Sequence, residues 1–353
     1  MGWTILLLAI GLLLIIKGGD VFVDAASWMA EKTGIPRLII GATVVSLATT
    51  LPEMLVSFIA AGGGKVDMAI GNAVGSVTVN IGLIMGIALI CIPTAVRRRD
   101  YLLKSVLMLG AALILMAFGF TGTIGLVPNV LLLVIFVVAM WDNVHQARLA
   151  MKSQLPPAPE AAGQKADDGA IAYIVAKKPA AACGGEAVLG AAVARGKTTG
   201  REVAANLAKF VLGAAAIVVG SQLLVDNGSA LALLLGVPER IIAVSVVAIG
   251  TSLPELVTTL SAIAKKQCSL SVGNIIGANI IDLTLILPIS SLIAGKALPV
   301  SSQFATVDLP ACFAVGCIAL IPTLITGKFR RAQGIFMVVF YVAYLVFTTL
   351  VLG

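Results

Sequence analysis

The chain has 353 residues, 59% of them hydrophobic and only 12% charged, with a mean hydropathy of +1.07. Soluble domains carry about 25% charged residues; here the apolar residues run in stretches of roughly 20, enough to cross a ~30 Å hydrocarbon core as helix. A soluble globular protein is excluded, and the net charge of +7 does not indicate nucleic acid, because the basic residues sit in short loops with no stripe of interleaved aromatics.

Hydropathy predicts ten spans, near 3–24, 38–62, 68–92, 102–120, 125–147, 204–225, 240–263, 269–293, 304–326 and 332–352. The first follows Met1, Gly2 and Trp3 with no basic segment before it and no small-residue cleavage site after it, so it reads as a retained helix. Between the fifth and sixth spans, residues 148–203 contain "QLPPAPEAAGQKADDG", a composition that cannot bury a core and reads as a linker. The expected architecture is an all-α polytopic membrane protein with five helices in 1–147 and five in 204–353. Twelve Lys and Arg residues, among them Lys17, Arg97, Arg98, Arg99, Lys104 and Lys265, fall on one side, against Lys65, Arg240 and Lys296 on the other. That bias makes the first side cytoplasmic, with the linker, and places both termini outside the cell membrane. Cys91, Cys183, Cys268, Cys312 and Cys317 form no CxxC, and His145 is the one histidine, so neither a zinc site nor any other resident cofactor is expected.

An internal repeat organises the chain. Pro52-Glu53 and Pro254-Glu255 stand 202 residues apart, and the same offset relates Asp24 to Asp226, Gly34 to Gly236 and Pro36 to Pro238. It continues without a gap through Thr49 and Thr251, Gly71-Asn72 and Gly273-Asn274, and Gly75 and Gly277. Each half has an odd number of spans, so the second copy is expected to be inverted in the membrane. Inverted repeats are a hallmark of secondary transporters, which bind substrate near the midplane where the halves meet.

The repeated motifs carry oxygen chemistry. Glu53 lies about fifteen residues into its span, near the bilayer centre, where an unpaired carboxylate is costly. Pro52 has no N–H, so the carbonyl of Ala48 loses its helical partner, and Pro254 does the same to Gly250. Freed carbonyls at membrane depth are tolerated where they line a cavity. With Thr49, Thr50, Thr251 and Ser252 beside them, the two motifs offer oxygens only, the ligands of hard cations such as Ca²⁺ and Na⁺. "GNAVGSVTVN" (71–80) and "GNIIGANIID" (273–282) each open with Gly-x-x-x-Gly, a close-packing signal. Each places a polar residue 27 positions after its glutamate, Asn80 and Asp282. Ser76 shares a helix face with Asn80; its counterpart is Ala278. An intramembrane protease would need a paired Gly-x-Gly-Asp motif or a serine–histidine pair, and neither is present.

"TTLPE" and "GTSLPE", followed by the two Gly-Asn-x-x-Gly strings, resemble the α-repeats of the Ca²⁺/cation antiporter superfamily, nearest to its prokaryotic sodium/calcium exchanger branch. The resemblance covers both five-span halves and not the linker. It implies a ten-helix antiporter exchanging Ca²⁺ for Na⁺ by alternating access. It also implies Glu53 and Glu255 as principal ligands, hydroxyl or carbonyl oxygens from Thr49, Thr50, Thr251 and Ser252, and the carbonyls of Ser46 and Ala248. Ser76 matches a side-chain ligand, Ala278 departs from one, and Asn80 and Asp282 match positions completing the central layer. Three carboxylates in low dielectric need cations, and Ca²⁺, Na⁺ or protons would compete for them. Asp282 favours Na⁺ as counter-ion, with Ca²⁺/H⁺ and K⁺-dependent exchange as alternatives. The first and sixth spans, through Gly18 and Gly220, are the expected sliding elements.

Overall fold

A computed structural model describes residues 2–91, 98–152, 199–234 and 248–350. In chain order the helices are α1 (Gly2–Thr33), α2 (Arg37–Gly62), α3 (Val66–Cys91), α4 (Arg98–Gly119), α5 (Leu126–Lys152), α6 (Gly200–Leu234), α7 (Ala248–Thr251), α8 (Leu253–Ala264), α9 (Ser269–Ala294), α10 (Phe304–Thr326) and α11 (Arg331–Leu350). Among the described residues nine helices are long and apolar enough to cross a membrane. The short α7 and α8 are the described part of the expected span 240–263; its first residues, 240–247, lie outside the described residues. So does most of the expected linker, of which α5 takes residues up to Lys152 and α6 those from Gly200.

Two helices outrun the expected spans. α1 continues past residue 24 because residues 25–33 contain neither glycine nor proline; the stop comes at Gly34, with φ of 71°, and Pro36. At 32 and 35 residues, α1 and α6 are roughly 48 and 52 Å long, longer than the hydrocarbon core requires. Lys17 therefore lies mid-helix and exposed, and Lys104 is buried within α4, neither of them in a loop. The all-α expectation also needs one correction. β1 (Thr123–Ile124) and β2 (Leu298–Pro299) form a two-residue antiparallel pair, Thr123 opposite Pro299 and Ile124 opposite Leu298. Two loops satisfy each other's backbone this way while burying Ile124 and Leu298 completely.

Glycines set the closest helix contacts. α1 and α6 pack along their length; a methyl added at Gly11 would come to 2.9 Å from the Gly220 carbonyl oxygen, and one at Gly18 to 3.0 Å from the Gly213 carbonyl oxygen. Gly11 and Gly213, and Gly18 and Gly220, are each 202 residues apart, so the contact is reciprocal under the repeat offset. α9, with α3 the most buried of the spans, crosses α2 where Gly41, Gly273 and Gly277 let the backbones meet. The first Gly-x-x-x-Gly is used differently: Gly71 meets the Phe304 ring, and among the described residues no atom lies within 4 Å of a methyl added at Gly75.

The turns joining α2 to α3 and α8 to α9 repeat one geometry. Lys65 N donates to Ala60 O at 2.8 Å, and Gln267 N to Ala262 O at 2.7 Å. The left-handed residue is Gly64 in the first turn, with φ of 76°, and Lys266 in the second, with φ of 57°. Beside the second turn, Lys265 Nζ meets Asp24 Oδ1 at 2.7 Å and the Asp20 carbonyl oxygen at 2.7 Å, and Ser27 hydrogen-bonds Gln267, so α1 is tied to the end of α8. A left-handed residue with a side chain costs roughly 1–2 kcal/mol, part of which glycine returns through its freer unfolded chain. Lys266→Gly is expected to stabilise the protein by about 1 kcal/mol, read as a higher thermal midpoint in detergent; a lower midpoint would contradict the strain.

Candidate functional site

The site forms where α2, α8 and the middles of α3 and α9 converge, and each element is locally irregular. α2 carries a π-helical turn at Gly41–Val45 and then Pro52 inside an otherwise continuous helix, Ser46–Gly62. The second glutamate motif is built differently from the expected match. The chain leaves the helix at Ser252, between α7 and α8, and Pro254 sits in the first turn of α8, where no N–H is required of it. One proline therefore stands inside a helix while the other begins one. Asn80 and Asp282, the residues after each Gly-Asn string, each open a π-helical turn, Asn80–Met85 and Asp282–Ile286. Such turns loosen the backbone ladder and are frequent at functional sites.

Glu53, Glu255, Asp282 and Asn80 are each 1% exposed. Neither carboxylate oxygen of Glu53 or of Asp282 has a hydrogen-bond partner, nor do Glu255 Oε2, Asn80 Oδ1, Ser76 Oγ and Ser252 Oγ. A buried polar atom without a partner costs about 1–3 kcal/mol, more when charged, so this cluster is unstable as a purely structural feature. Glu53, Glu255 and Asp282 lie within coulombic reach of one another. Among the described residues no three acidic, thiol or imidazole side chains form a compact metal-binding group, so a cation here would draw hydroxyl, amide and main-chain oxygens into its shell. That donor set suits a hard cation.

Contacts across the repeat hold the cluster together. Thr50 Oγ1 donates to Glu255 Oε1 at 3.2 Å, and Thr49 Oγ1 reaches both the Ser46 carbonyl and Asn274 Oδ1 at 3.2 Å. Thr49 and Thr50 thereby join Ser46, Glu255 and Asn274, and Glu53, Ser252, Ser76, Asn80 and Asp282 on the same converging segments are likewise buried. Thr251 is half-buried at the end of α7, and Ala248 is the first residue of that helix. Ala278 is fully buried and supplies no hydroxyl.

Sequence reasoning overlooked the two asparagines of the Gly-Asn strings. Asn72 Nδ2 donates to the Glu53 main-chain oxygen at 3.0 Å and to Ser57 Oγ at 2.9 Å, while Asn274 receives Thr49. Their recurrence at the repeat offset was the available signal, but it identifies a register and not a partner. Thr258, Thr259 and Asn279 are further fully buried polar side chains whose unbonded atoms no motif announced.

The family model described as "Sodium/calcium exchanger protein" matches residues 3–142 and 206–350. The chain is 31% identical over 351 residues to the sodium/calcium exchanger MaX1 of Methanosarcina acetivorans, covering 97% of each chain. It is 32% identical over 289 residues to the inner membrane protein YrbG of Escherichia coli, covering 81% of this chain and 79% of that one. Among solved structures it is similar to the sodium-calcium exchanger NCX_Mj soaked with 2.5 mM Na⁺ and 0.1 mM Ca²⁺, with a TM-score of 0.73 and 25% identity, covering 99% of this chain and 98% of the other.

The tight crossing under the site gives a test of its geometry. A methyl at Gly277 would come to 2.6 Å from Ser46 Oγ and 2.7 Å from the Ala42 Cα, so Gly277→Ala must push α9 off α2. The expected cost is about 1–3 kcal/mol of stability, and the rise in thermal midpoint expected of the parent protein on adding Ca²⁺ should be lost. Gly110→Ala in α4, where a methyl meets nothing within 4 Å, is the control and keeps both.

Proposed function

The chain belongs to the sodium/calcium exchanger family, and we propose that it exchanges Ca²⁺ for Na⁺ across the cell membrane by alternating access at the Glu53–Glu255 cluster. The observation that carries this reading is the set of carboxylate oxygens on Glu53, Glu255 and Asp282 that are buried within coulombic reach of one another and left unbonded. One Ca²⁺ or several Na⁺ can neutralise them, but not both together, and mutually exclusive occupancy of one site is what couples the two flows. Glu53 and Glu255 are the principal ligands. Asp282, Asn80, Ser76, Thr49, Thr50, Thr251 and Ser252 add side-chain or main-chain oxygens, and Ser46 and Ala248 add carbonyls. The ions are cargo, and no resident cofactor takes part.

Ten spans in two inverted halves, 1–147 and 204–353, joined by a cytoplasmic 148–203 linker, complete the reading, with both termini outside. Three features support the inverted arrangement. They are the reciprocal Gly11–Gly220 and Gly18–Gly213 contacts, the repeated turn at Gly64 and Lys266, and the paired π-helical turns at Asn80 and Asp282. α1 and α6 are the sliding unit. Gly11 and Gly18 face Gly220 and Gly213, so the two helices can move as a pair while the core around α3 and α9 stays fixed. The Lys265 contacts to Asp20 and Asp24 are then a tether that this movement has to stretch or break.

Uptake of ⁴⁵Ca²⁺ into proteoliposomes, driven in turn by a Na⁺ gradient and by a pH gradient, tests the proposal. Na⁺-driven uptake is expected, falling at least about tenfold in Glu53→Gln and in Glu255→Gln, since each loses a charged ligand. Uptake driven only by the pH gradient would overturn sodium as the counter-ion, and full activity in both variants would overturn the site.

A further inference from the structure

The two glutamate-bearing hairpins share a turn geometry but not a hydrogen-bond pattern. In the first, the Asn72 amide bridges the main-chain oxygen of Glu53 and the hydroxyl of Ser57. It thereby ties α3 to α2 one residue after Pro52. The residues 202 positions on are Asn274, Glu255 and Thr259. There the tie is open. Asn274 Nδ2 and Thr259 Oγ1 are both fully buried and have no hydrogen-bond partner. Asn274 instead uses its oxygen, accepting from Thr49 Oγ1 of the first half. The backbone differs in the same sense, since Ser46–Gly62 is one continuous helix whereas the chain breaks at Ser252 before α8.

A buried amide donor and a buried hydroxyl, both unbonded and carried by adjacent helices, are costly to keep apart. The first hairpin displays the geometry in which the same residue types are satisfied. We propose that Asn72 and Asn274 are positioning residues that act as alternating clamps on the two glutamate motifs. In the state described here the Asn72 clamp is closed and the Asn274 clamp open. In the opposite-facing state Asn274 donates to the Glu255 main-chain oxygen and to Thr259, closing the second hairpin, and Asn72 releases the first. Each clamp holds the backbone that aims its glutamate, so closing one and opening the other changes which half of the cation shell is rigid. The inference rests on the reading that two related halves alternate in access, and it assigns residues to that alternation that are not themselves cation ligands.

The test reads access and not transport. In protein with its five cysteines replaced, reporter cysteines are placed by Val56→Cys and, in a second background, Thr258→Cys, positions related by the repeat offset. Their reaction rates with a membrane-impermeant methanethiosulfonate reagent are measured in proteoliposomes without an ion gradient. Asn72→Ala removes the closed clamp and is expected to raise the rate at position 56 by about fivefold and lower it at 258, the population shift expected from losing one net hydrogen bond. Asn274→Ala removes the clamp of the other state and is expected to shift both rates the opposite way. Ser57→Ala and Thr259→Val take away one acceptor from each clamp, and should repeat the two signs more weakly if an asparagine variant folds poorly. Rates that move in the same direction in both asparagine variants, or in neither, overturn the clamps. Because no Na⁺ or Ca²⁺ gradient is used, that result is distinguishable from a failure of Na⁺-driven uptake.

Discussion

Three carboxylates held in the middle of a membrane protein with most of their oxygens unbonded set the terms for everything around them. Hydrocarbon offers no hydrogen bonds, and burial removes the water that would stabilise the charge. Both carboxylate oxygens of Glu53 and of Asp282 and one of Glu255 are left unbonded, while the other Glu255 oxygen accepts from the Thr50 hydroxyl. A group of this kind persists only if something else neutralises it for much of the protein's working life. Ca²⁺ and Na⁺ do so in turn in an exchanger, and the same unsatisfied charge that makes the site costly when empty prevents it from emptying without refilling.

Such a site requires irregular backbone where a membrane protein can least afford it, and the fold contains that irregularity by surrounding it with protein. The π-helical turns at Asn80 and Asp282 and the break at Ser252 begin on buried residues, where neighbouring helices shield loosened backbone from lipid. Close approach of those neighbours depends on glycine. Gly273 and Gly277 bring α9 against α2 so that Thr49 can reach Asn274 and Thr50 can reach Glu255, contacts between residues 225 and 205 positions apart in sequence. α1 and α6 use Gly11, Gly18, Gly213 and Gly220 on each other, and the pair meets the core through an apolar cluster, Phe22, Val23 and Phe210 with Ile40, Val45 and Ala262, and through the Lys265 contact with Asp24.

Much of this was legible in the residues. Glu53 and Glu255, Asn80 and Asp282, and Ser76 against Ala278 stand in a gapless register, and a mid-span carboxylate beside proline and hydroxyls has few uses other than holding a hard cation. Less legible were features that depend on where helices end or what they touch. α1 runs nine residues past the expected span end at 24 because hydropathy falls off before helical structure does. Pro52 and Pro254 look equivalent in sequence and play different parts, one inside a helix and one at its start. Asn72 and Asn274 read as repeat markers, since nothing local reveals whether an amide will bond a carbonyl on its own hairpin or a hydroxyl on the other half.

The membrane class, the repeat and the chemical type of the site all follow from local composition and spacing: apolar length sets a span, and residue type sets what a side chain can bind. Which polar groups are satisfied depends instead on how the helices pack. Helix crossing distances, set by glycine contacts such as Gly277 against Ala42 and Ser46, bring the Thr49 and Thr50 hydroxyls to Asn274 and Glu255 and leave Glu53, Asp282 and the Asn274 amide nitrogen without partners. Hydrogen bonding is a matter of a few tenths of an ångström and an angle, and no one-dimensional pattern carries that information.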